Sequence, residues 1–471
     1  MKKLIILSLF VSFIVQAQFI ESQPPTSLEL RLHNAKSLQS LLKIAAESKK
    51  QKKYKILQKT LERIIKTNPH IPLFRYQLAE AYSLNDDKSK AYDALINIQK
   101  QGFYFDIEAN ENFANIKPFP IFKYIKENMD VNGKHHGEGK ESFSLSKSFS
   151  GLLFESIAYD EKNQAFLMGS IRDGSVIRIS SDGAITVLIK ATQGGAKGPW
   201  AALDLAIDAK NNVLWVASAS VSQYGKFSKE TSGLTGVFKY NLTTGEPIKS
   251  ILLPENKRPS LISSIHVAAN GNLYLLGAIN NVVLMLEKDS EQFKIVFSTK
   301  KYKKLRQITT DETGDIIYIT DEDEGIVIIN LKDENIYLIG NTPQLNLTGI
   351  TDLIYDDNGL IIIQSGFFPE RIMRLALGKT KLNLENIFPI ESAHPRFKSP
   401  SAGTIVENGL YFIANSQLAK TNIVGGLVKG QQWEDLYVIS ADKHYKEAEA
   451  LAYKQKVKDY GKKMGSDEQV K

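Results

Sequence analysis

Six polar residues lie at related positions near the starts of repeated apolar strands: Glu155, Ser156, Asp204, Ser264, Gln307 and Asp352. Carboxylate oxygens that converge on a water-filled pore are typical ligands of a hard cation such as Ca²⁺. Together with hydroxyl and amide groups, they also suit hydrogen bonding to a polyol. The alternative for Asp204 and Asp352 is structural, because acidic residues near such strands often hold neighbouring backbone amides. We predict that the six residues line a binding funnel, and the sequence leaves open whether a divalent metal is the cofactor.

A unit of two apolar strands around a tight turn recurs six times and positions these residues. The first strands include 156–160, 204–208, 264–268, 307–311, 352–356 and 403–407, and each is followed by a second apolar strand. Repeats of about 40–50 residues with several strands each indicate a β-propeller. The sixth unit lacks a fourth strand, which the alternating segment 143–149 supplies from upstream. The sequence therefore predicts an all-β six-bladed β-propeller over residues 143–440.

The loops of the predicted propeller differ between its two faces. Turns between first and second strands are minimal throughout, whereas the second-to-third connections are larger in three blades, at 218–235, 366–370 and 415–433. Long loops in compact domains are more often functional than short ones. We expect the binding site on the face with long loops. The run 321–324 would add negative potential there, although a solvated turn is the simpler interpretation.

A small all-α domain over residues 28–130 precedes the propeller. Amphipathic segments pair as 37–48 with 53–66 and as 73–82 with 91–98, and Pro69 and Pro72 precede the second pair. Tyr76, Ala79, Ala81 and Ala91 occupy positions at which the segment resembles a tetratricopeptide repeat. Such repeats suit either a groove for a protein partner or an adaptor that packs against the propeller, and the sequence does not separate the two.

The two chain ends and the linker between the domains lie outside the predicted folded domains. Residues 1–17 have a basic start, an apolar run of about a dozen residues and a small-residue cleavage site, which predicts a signal peptide and export to the periplasm or the medium. Residues 131–142 form a polar linker; its adjacent His135 and His136 point in different directions on an extended chain, so we interpret them as linker. The composition of residues 441–471 predicts a charged helical tail.

Composition excludes several functions. The chain of 471 residues has no cysteine, which excludes disulfides and thiolate chemistry, and its net charge of +7 is spread out. No later segment is apolar over the ~20 residues that a membrane span needs. Neither nucleic acid nor a transmembrane span is expected.

The propeller segment resembles the gluconolactonase and regucalcin family of six-bladed, NHL-type propellers. The segment from Phe154 to Asp160 is similar to that family's opening strand, so the resemblance implies Glu155 as a divalent-metal ligand. The family's other two ligands correspond to Leu203 and Thr351, each followed by an aspartate. The segment around 394–417 also resembles exported propellers that carry N-terminal helical repeats.

Two functions follow as hypotheses. The first is an exported, non-catalytic binding protein whose propeller face holds a small molecule, a glycan or a protein partner. The alternative is a metal-dependent lactonase or esterase with Glu155 as ligand. A third, purely structural role in the cell envelope has no specific residue in its favour.

Overall fold

The computed structural model describes residues 26–254, 261–452 and 454–456. It confirms a six-bladed β-propeller preceded by a helical region. The predicted signal peptide and most of the predicted tail lie outside the described residues. No helix within the described ranges has the length and hydropathy to cross a membrane.

Six α-helices lie in the described part of the N-terminal region, from residue 26 onward. They are α1 (Ser27–Asn34), α2 (Leu38–Lys50), α3 (Tyr54–Thr67), α4 (Pro72–Leu84), α5 (Lys88–Lys100) and α6 (Pro120–Asn132). Local signals set several starts: Ser37 caps α2, Asp87 caps α5, and a proline occupies the first turn of α4 and of α6. Apolar faces of successive helices pack into two adjoining clusters. These helices match both pairs predicted from the sequence.

Each of the first five blades is a four-stranded antiparallel sheet, ordered from the inside outward as in the chain. Blade 1 contains β2 (Phe154–Asp160), β3 (Ala165–Ser170), β4 (Val176–Ser180) and β5 (Ile185–Ile189). Blade 2 contains β6 (Ala201–Asp208), β7 (Val213–Ala219), β8 (Thr235–Asn241) and β9 (Pro247–Leu252). Blade 3 contains β10 (Ile262–Val267), β11 (Leu273–Gly277), β12 (Val282–Leu286) and β13 (Phe293–Ser298).

Blades 4 and 5 repeat this order. Blade 4 contains β14 (Leu305–Thr310), β15 (Ile316–Asp321), β16 (Gly325–Asn330) and β17 (Asn335–Gly340). Blade 5 contains β18 (Ile350–Asp356), β19 (Gly359–Gln364), β20 (Arg371–Leu377) and β21 (Leu384–Ser392). The core lies between neighbouring blades, where isoleucine, leucine and valine side chains from adjacent sheets are buried.

Blade 6 joins the two ends of the ring. Its inner strands are β22 (Gly403–Val406), β23 (Gly409–Ile413) and β24 (Leu436–Asp442), and β1 (Lys140–Leu145) pairs antiparallel with β24 as the outer strand. The closing strand begins three residues before the predicted segment 143–149, and residues 147–150 form a helical turn, α7 (Lys147–Ser150). Closure by β1 removes a free sheet edge.

The helical region contacts the rim of one propeller face. We call the face at which the innermost strands begin the upper face. Arg371 is 7% exposed, and its guanidinium lies over the rings of Phe103 and Phe367. It donates hydrogen bonds to the Gln101 carbonyl oxygen at 2.6 Å and to the Gln364 side chain at 2.9 Å. The helices are thus fixed to the upper face beside blades 4 and 5.

Candidate ligand-binding site in the propeller channel

A β-bulge near the start of the innermost strands aims one side chain into the central channel. The pairing with the second strand shifts register between Phe154 and Ser156, Ala202 and Asp204, Ile262 and Ser264, Leu305 and Ile308, and Ile350 and Asp352. A bulge inserts an extra residue and re-aims its side chain. The residues at these shifts that face the channel are Glu155, Leu203, Ser263, Gln307 and Thr351.

The channel widens into two chambers on either side of this ring. The upper chamber has a volume of about 690 Å³ and opens on the upper face, whereas the lower chamber has about 320 Å³. Both chambers are bordered by Glu155, Leu203, Ser263, Gln307 and Ala402. Upper-chamber apolar residues include Ile171, Val221, Leu261, Ile350 and Leu418. A concave, largely apolar cavity with a few polar groups is typical of small-molecule sites.

Glu155 is the carboxyl group in the ring of channel-facing residues. The Ser416 hydroxyl donates to its Oε1 at 2.5 Å. Burial raises the pKa of Glu155 to about 7, although the Ser416 hydroxyl, the Leu418 N–H and the Ser401 hydroxyl oppose that rise. Glu155 can therefore carry a proton near neutral pH and act as a donor to a ligand.

Two serines that border the upper chamber have hydroxyls with unused hydrogen-bonding capacity. The Ser263 hydroxyl is buried and forms no hydrogen bond with the described residues. The Ser401 hydroxyl is also buried; it interacts with the Glu155 carboxyl group, whose pKa it lowers, without forming a hydrogen bond of good geometry. Buried polar groups are normally paired with protein or water. Both residues border the chamber, and because their oxygens have almost no exposed surface, a side-chain rotation would present them to a bound molecule.

Asp204 and Asp352 join neighbouring blades. The Asp204 carboxylate accepts hydrogen bonds from the N–H groups of Leu205 and of Ile265 in the next blade, both at 2.8 Å. The Asp352 carboxylate does the same for Leu353 at 2.9 Å and for Gly403 in blade 6 at 2.7 Å. Burial raises the pKa of Asp204 to about 7 and that of Asp352 to about 6, and the charge of Asp352 also raises the pKa of Asp204. Each carboxylate thus acts as a latch between two blades.

Ser264 and Ser156 occupy the latch position in two other blades. The Ser264 hydroxyl accepts a long, 3.4 Å hydrogen bond from the Ile308 N–H of blade 4. The Ser156 hydroxyl is buried and has no partner among the described residues. Gln307 differs from both, because it faces the channel and its Nε2 donates to the Thr351 carbonyl oxygen at 2.7 Å. Of the six predicted residues, Glu155 and Gln307 border both chambers, whereas Asp204, Ser264 and Asp352 border the lower chamber only and Ser156 borders neither. The last four occupy the latch position, which immediately follows a bulge.

The residues of the ring do not fit a three-ligand divalent-metal centre. Of the three positions that the family resemblance assigns to ligands, only Glu155 carries a carboxylate, since the others are Leu203 and Thr351. The oxygens of Asp204 and Asp352 already accept two backbone N–H groups each.

Two long loops form one wall of the upper chamber. The Arg172 guanidinium donates to the carbonyl oxygens of Gln223 at 3.1 Å and Val424 at 2.9 Å, and thereby joins the loop of blade 2 to that of blade 6. The Ser222 hydroxyl adds a hydrogen bond to the Ile423 carbonyl oxygen at 2.6 Å. Sequence reasoning identified the long loops but missed Arg172, which lies in a short connection of blade 1 with no motif around it.

Ion pairs and backbone hydrogen bonds hold the acidic run 321–324 in its turn. Asp321 is buried and accepts the N–H groups of Asp323, Glu324 and Lys304. Glu322 pairs with Arg306 at 3.1 Å at the edge of the upper chamber, and Asp323 pairs with Lys304 at 2.9 Å. The run therefore stabilises this turn.

His266 borders the lower chamber. Burial lowers the pKa of His266 to about 4, so its imidazole is neutral at physiological pH. Its Nδ1 lies 3.5 Å from the Thr309 hydroxyl. His266 therefore adds no positive charge to the lower chamber at physiological pH.

The fold and the channel define a six-bladed β-propeller with a helical N-terminal region. No family model and no curated protein matches the chain. Similar solved structures include a structural genomics protein of unknown function from Bacteroides thetaiotaomicron VPI-5482, with 13% identity, a TM-score of 0.45 and coverage of 65% of this chain and 76% of that chain.

Two enzymes are among the other similar structures. Luciferin-regenerating enzyme has 10% identity and a TM-score of 0.45 over 65% of this chain and 95% of that chain. Virginiamycin B lyase from Staphylococcus aureus has 14% identity and a TM-score of 0.41, and the match covers 64% of this chain and 99% of that chain. Similarities of this extent concern the fold, and function must be inferred from this chain's own residues.

Proposed function

We propose that this protein is an exported, non-catalytic binding protein whose upper chamber holds a small polyhydroxylated ligand such as a glycan. The observation that carries this proposal is the buried, unpartnered hydroxyl of Ser263 in a chamber that Ser401 and Glu155 also border. The tetratricopeptide-like helices would contact a protein partner.

The chemistry of the upper chamber supports a neutral, hydroxyl-rich ligand. A sugar presents hydroxyl groups on one side and C–H groups on another, which match the serines and the apolar residues such as Leu203 and Leu418. The only charged pair on the chamber edge, among the described lining residues, is Arg306 with Glu322, and it is internally compensated.

The test is thermal unfolding of the mature chain in the presence of a panel of mono- and oligosaccharides. A ligand that binds only the native state raises stability as RT ln(1 + [L]/Kd), about 2.7 kcal/mol at a hundredfold excess over Kd. We expect a saturable rise in Tm with at least one sugar, reduced by the double substitution Ser263→Ala and Ser401→Ala.

Ser156→Ala is the matched control, because its hydroxyl is also buried and unpartnered but does not border either chamber. We expect this variant to bind as the wild type does. No rise with any sugar, or equal rises in all variants, would contradict the proposed ligand class.

The alternative is a divalent-metal-dependent lactonase or esterase of the gluconolactonase and regucalcin type, favoured only by Glu155 at the matching position. The same measurement after chelation and return of Ca²⁺, Mg²⁺, Mn²⁺ or Zn²⁺ separates the two. A saturable metal-dependent rise that Glu155→Gln removes would favour the hydrolase and overturn the non-catalytic assignment.

A further inference from the structure

A second cluster of potential ligands lies outside the two chambers, where the linker meets blade 5. His135, Glu391 and His394 each offer one ligand atom, and these atoms lie within 4.8 Å of one another. Within residues 26–254, 261–452 and 454–456, no other group of three histidine or acidic side chains meets this criterion. His135 Nε2 is already 2.5 Å from Glu391 Oε1.

The backbone holds this cluster together from two directions. His136 and Ser392 exchange two backbone hydrogen bonds, of 2.9 and 2.8 Å, which bring the linker against the end of β21. Ala393 follows with a positive φ of 51°, so the chain turns sharply and returns His394 toward the linker. The rings of His135 and His394 lie 5.1 Å apart in an edge-to-face arrangement.

Glu391 is positioned as a buried carboxylate with one oxygen already oriented. Its side chain is 0% exposed, and its Oε2 accepts the Gly139 N–H at 2.8 Å. A Cβ atom at Gly137 would lie 2.2 Å from that oxygen, and one at Gly139 would lie 2.7 Å from it. Two linker glycines therefore leave the space that the carboxylate occupies. Outer contacts of this kind orient metal ligands and strengthen binding.

We propose that His135, Glu391 and His394 bind a divalent transition-metal ion, which fastens the linker to blade 5. Two imidazoles and a carboxylate match the ligand set of Zn²⁺, with water completing a tetrahedron. The ion would replace the hydrogen bond between His135 Nε2 and Glu391 Oε1. His394 Nδ1 accepts the exposed Arg396 N–H at 3.1 Å. If the metal bound at Nε2, Nδ1 would carry the ring proton and could no longer accept this hydrogen bond. His135 is 38% exposed, which leaves a path for the ion.

The site is independent of the ligand proposed for the upper chamber. None of its three residues borders either chamber. It also differs from a His135–His136 pair, because the His136 ring packs against Tyr445 at 5.3 Å instead.

The test is calorimetric titration of the untagged, chelator-treated chain with Zn²⁺. We expect one equivalent per chain, with affinity reduced at least about tenfold in Glu391→Gln and in His394→Ala. The exposed His33→Ala is the matched control and should bind as the wild type does. Zn²⁺ should also slow tryptic cleavage at the exposed Lys134 in the wild type but not in His394→Ala.

Less than one equivalent in the wild type would overturn the metal site, as would unchanged affinity in both variants. Circular dichroism of each variant separates loss of the site from loss of the fold. The half-buried His394 gives a second, milder substitution if Glu391→Gln unfolds the chain.

Discussion

Three carboxyl groups near the channel have raised pKa values, yet they occupy two different environments. Asp204 and Asp352 accept backbone N–H groups with both oxygens, whereas Glu155 faces the chamber and bonds to the Ser416 hydroxyl. A buried acid with a raised pKa binds its proton more tightly in the native state than in the unfolded state. Stability that such a group contributes is fully present below the unfolded pKa and is lost as the pH rises through the native value.

Glu155→Gln tests this linkage. The pKa of Glu155 rises from its model-peptide value of 4.5 to about 7, so the wild type should lose stability between about pH 4.5 and 7 through this residue. Because the carboxyl group borders a cavity that water can enter, we expect a loss of about 1 to 2 kcal/mol. Urea unfolding in chelator should show that the free energy of unfolding of Glu155→Gln, relative to wild type, is higher at pH 8 than at pH 4.5.

Gln307→Leu provides the packing control, since it removes an uncharged group from the same ring. Its difference from wild type should be the same at both pH values. A pH-independent difference for Glu155→Gln as well would show that ionisation of this residue does not couple to folding.

At the scale of the strand, one short pattern supplies both the channel lining and the blade-to-blade contacts. A bulged residue faces the channel, and the next residue points between blades. In blades 2 and 5 that next residue is an aspartate that accepts an N–H from the following blade. In these two blades, one position therefore lines the channel and the next joins neighbouring blades.

Asp204→Ala should destabilise the ring. It would leave the buried N–H groups of Leu205 and Ile265 without an acceptor, and hydrogen bonds to charged groups contribute about 1.5–3 kcal/mol each. We expect the free energy of unfolding at pH 8 to fall by about 2–4 kcal/mol, measured by urea denaturation. Ser156→Ala, at the equivalent position of blade 1, should change it by less than about 0.5 kcal/mol. Similar losses in both variants would rule out the latch as the cause.

At the scale of the whole molecule, the helical region is fixed to the upper rim. Two contacts add to those of Arg371. In the connection before β18, Asn346 Nδ2 donates to the His70 carbonyl oxygen at 2.9 Å. In the connection before β20, the Phe368 carbonyl oxygen accepts the Tyr104 N–H at 3.1 Å. The described residues that line the upper chamber all belong to the propeller. The helices therefore leave the chamber open while bordering the same face.

Arg371→Met should uncouple the unfolding of the helical region from that of the propeller. It keeps an apolar side chain between Phe103 and Phe367 but leaves the Gln101 carbonyl oxygen and the Gln364 side chain without their donor. We expect a loss of about 2–4 kcal/mol and an earlier, separate calorimetric transition for the helical region. Arg172→Met, which removes a loop-joining guanidinium, should not produce that early transition. A single transition in Arg371→Met would mean that the remaining contacts suffice to couple the regions.

The repeat pattern was enough to predict six blades, their closure from upstream and the helical region before them. Alternation of apolar residues sets which side of a strand is buried, and the recurrence of one unit sets the number of blades; both are local or periodic properties of the chain. The pairing of the helices followed from their amphipathic pattern and from the prolines before the second pair, which are also local features of the chain. Glu155 and Gln307 were among the six residues predicted to line the funnel, but the repeat did not separate them from the four residues at the latch position.

Tertiary structure decided which polar residues meet. A single inserted residue at each bulge determines whether Leu203 or Asp204 faces the channel, and the strand sequence does not show where the register shifts. Arg371 and Gln101 are 270 residues apart, and His135 and Glu391 are 256 apart, so no spacing along the chain reveals either contact. Sequence periodicity thus determined the architecture of this protein. The contact between the helical region and the propeller, and both candidate sites, depend on residues that only the closed ring brings together.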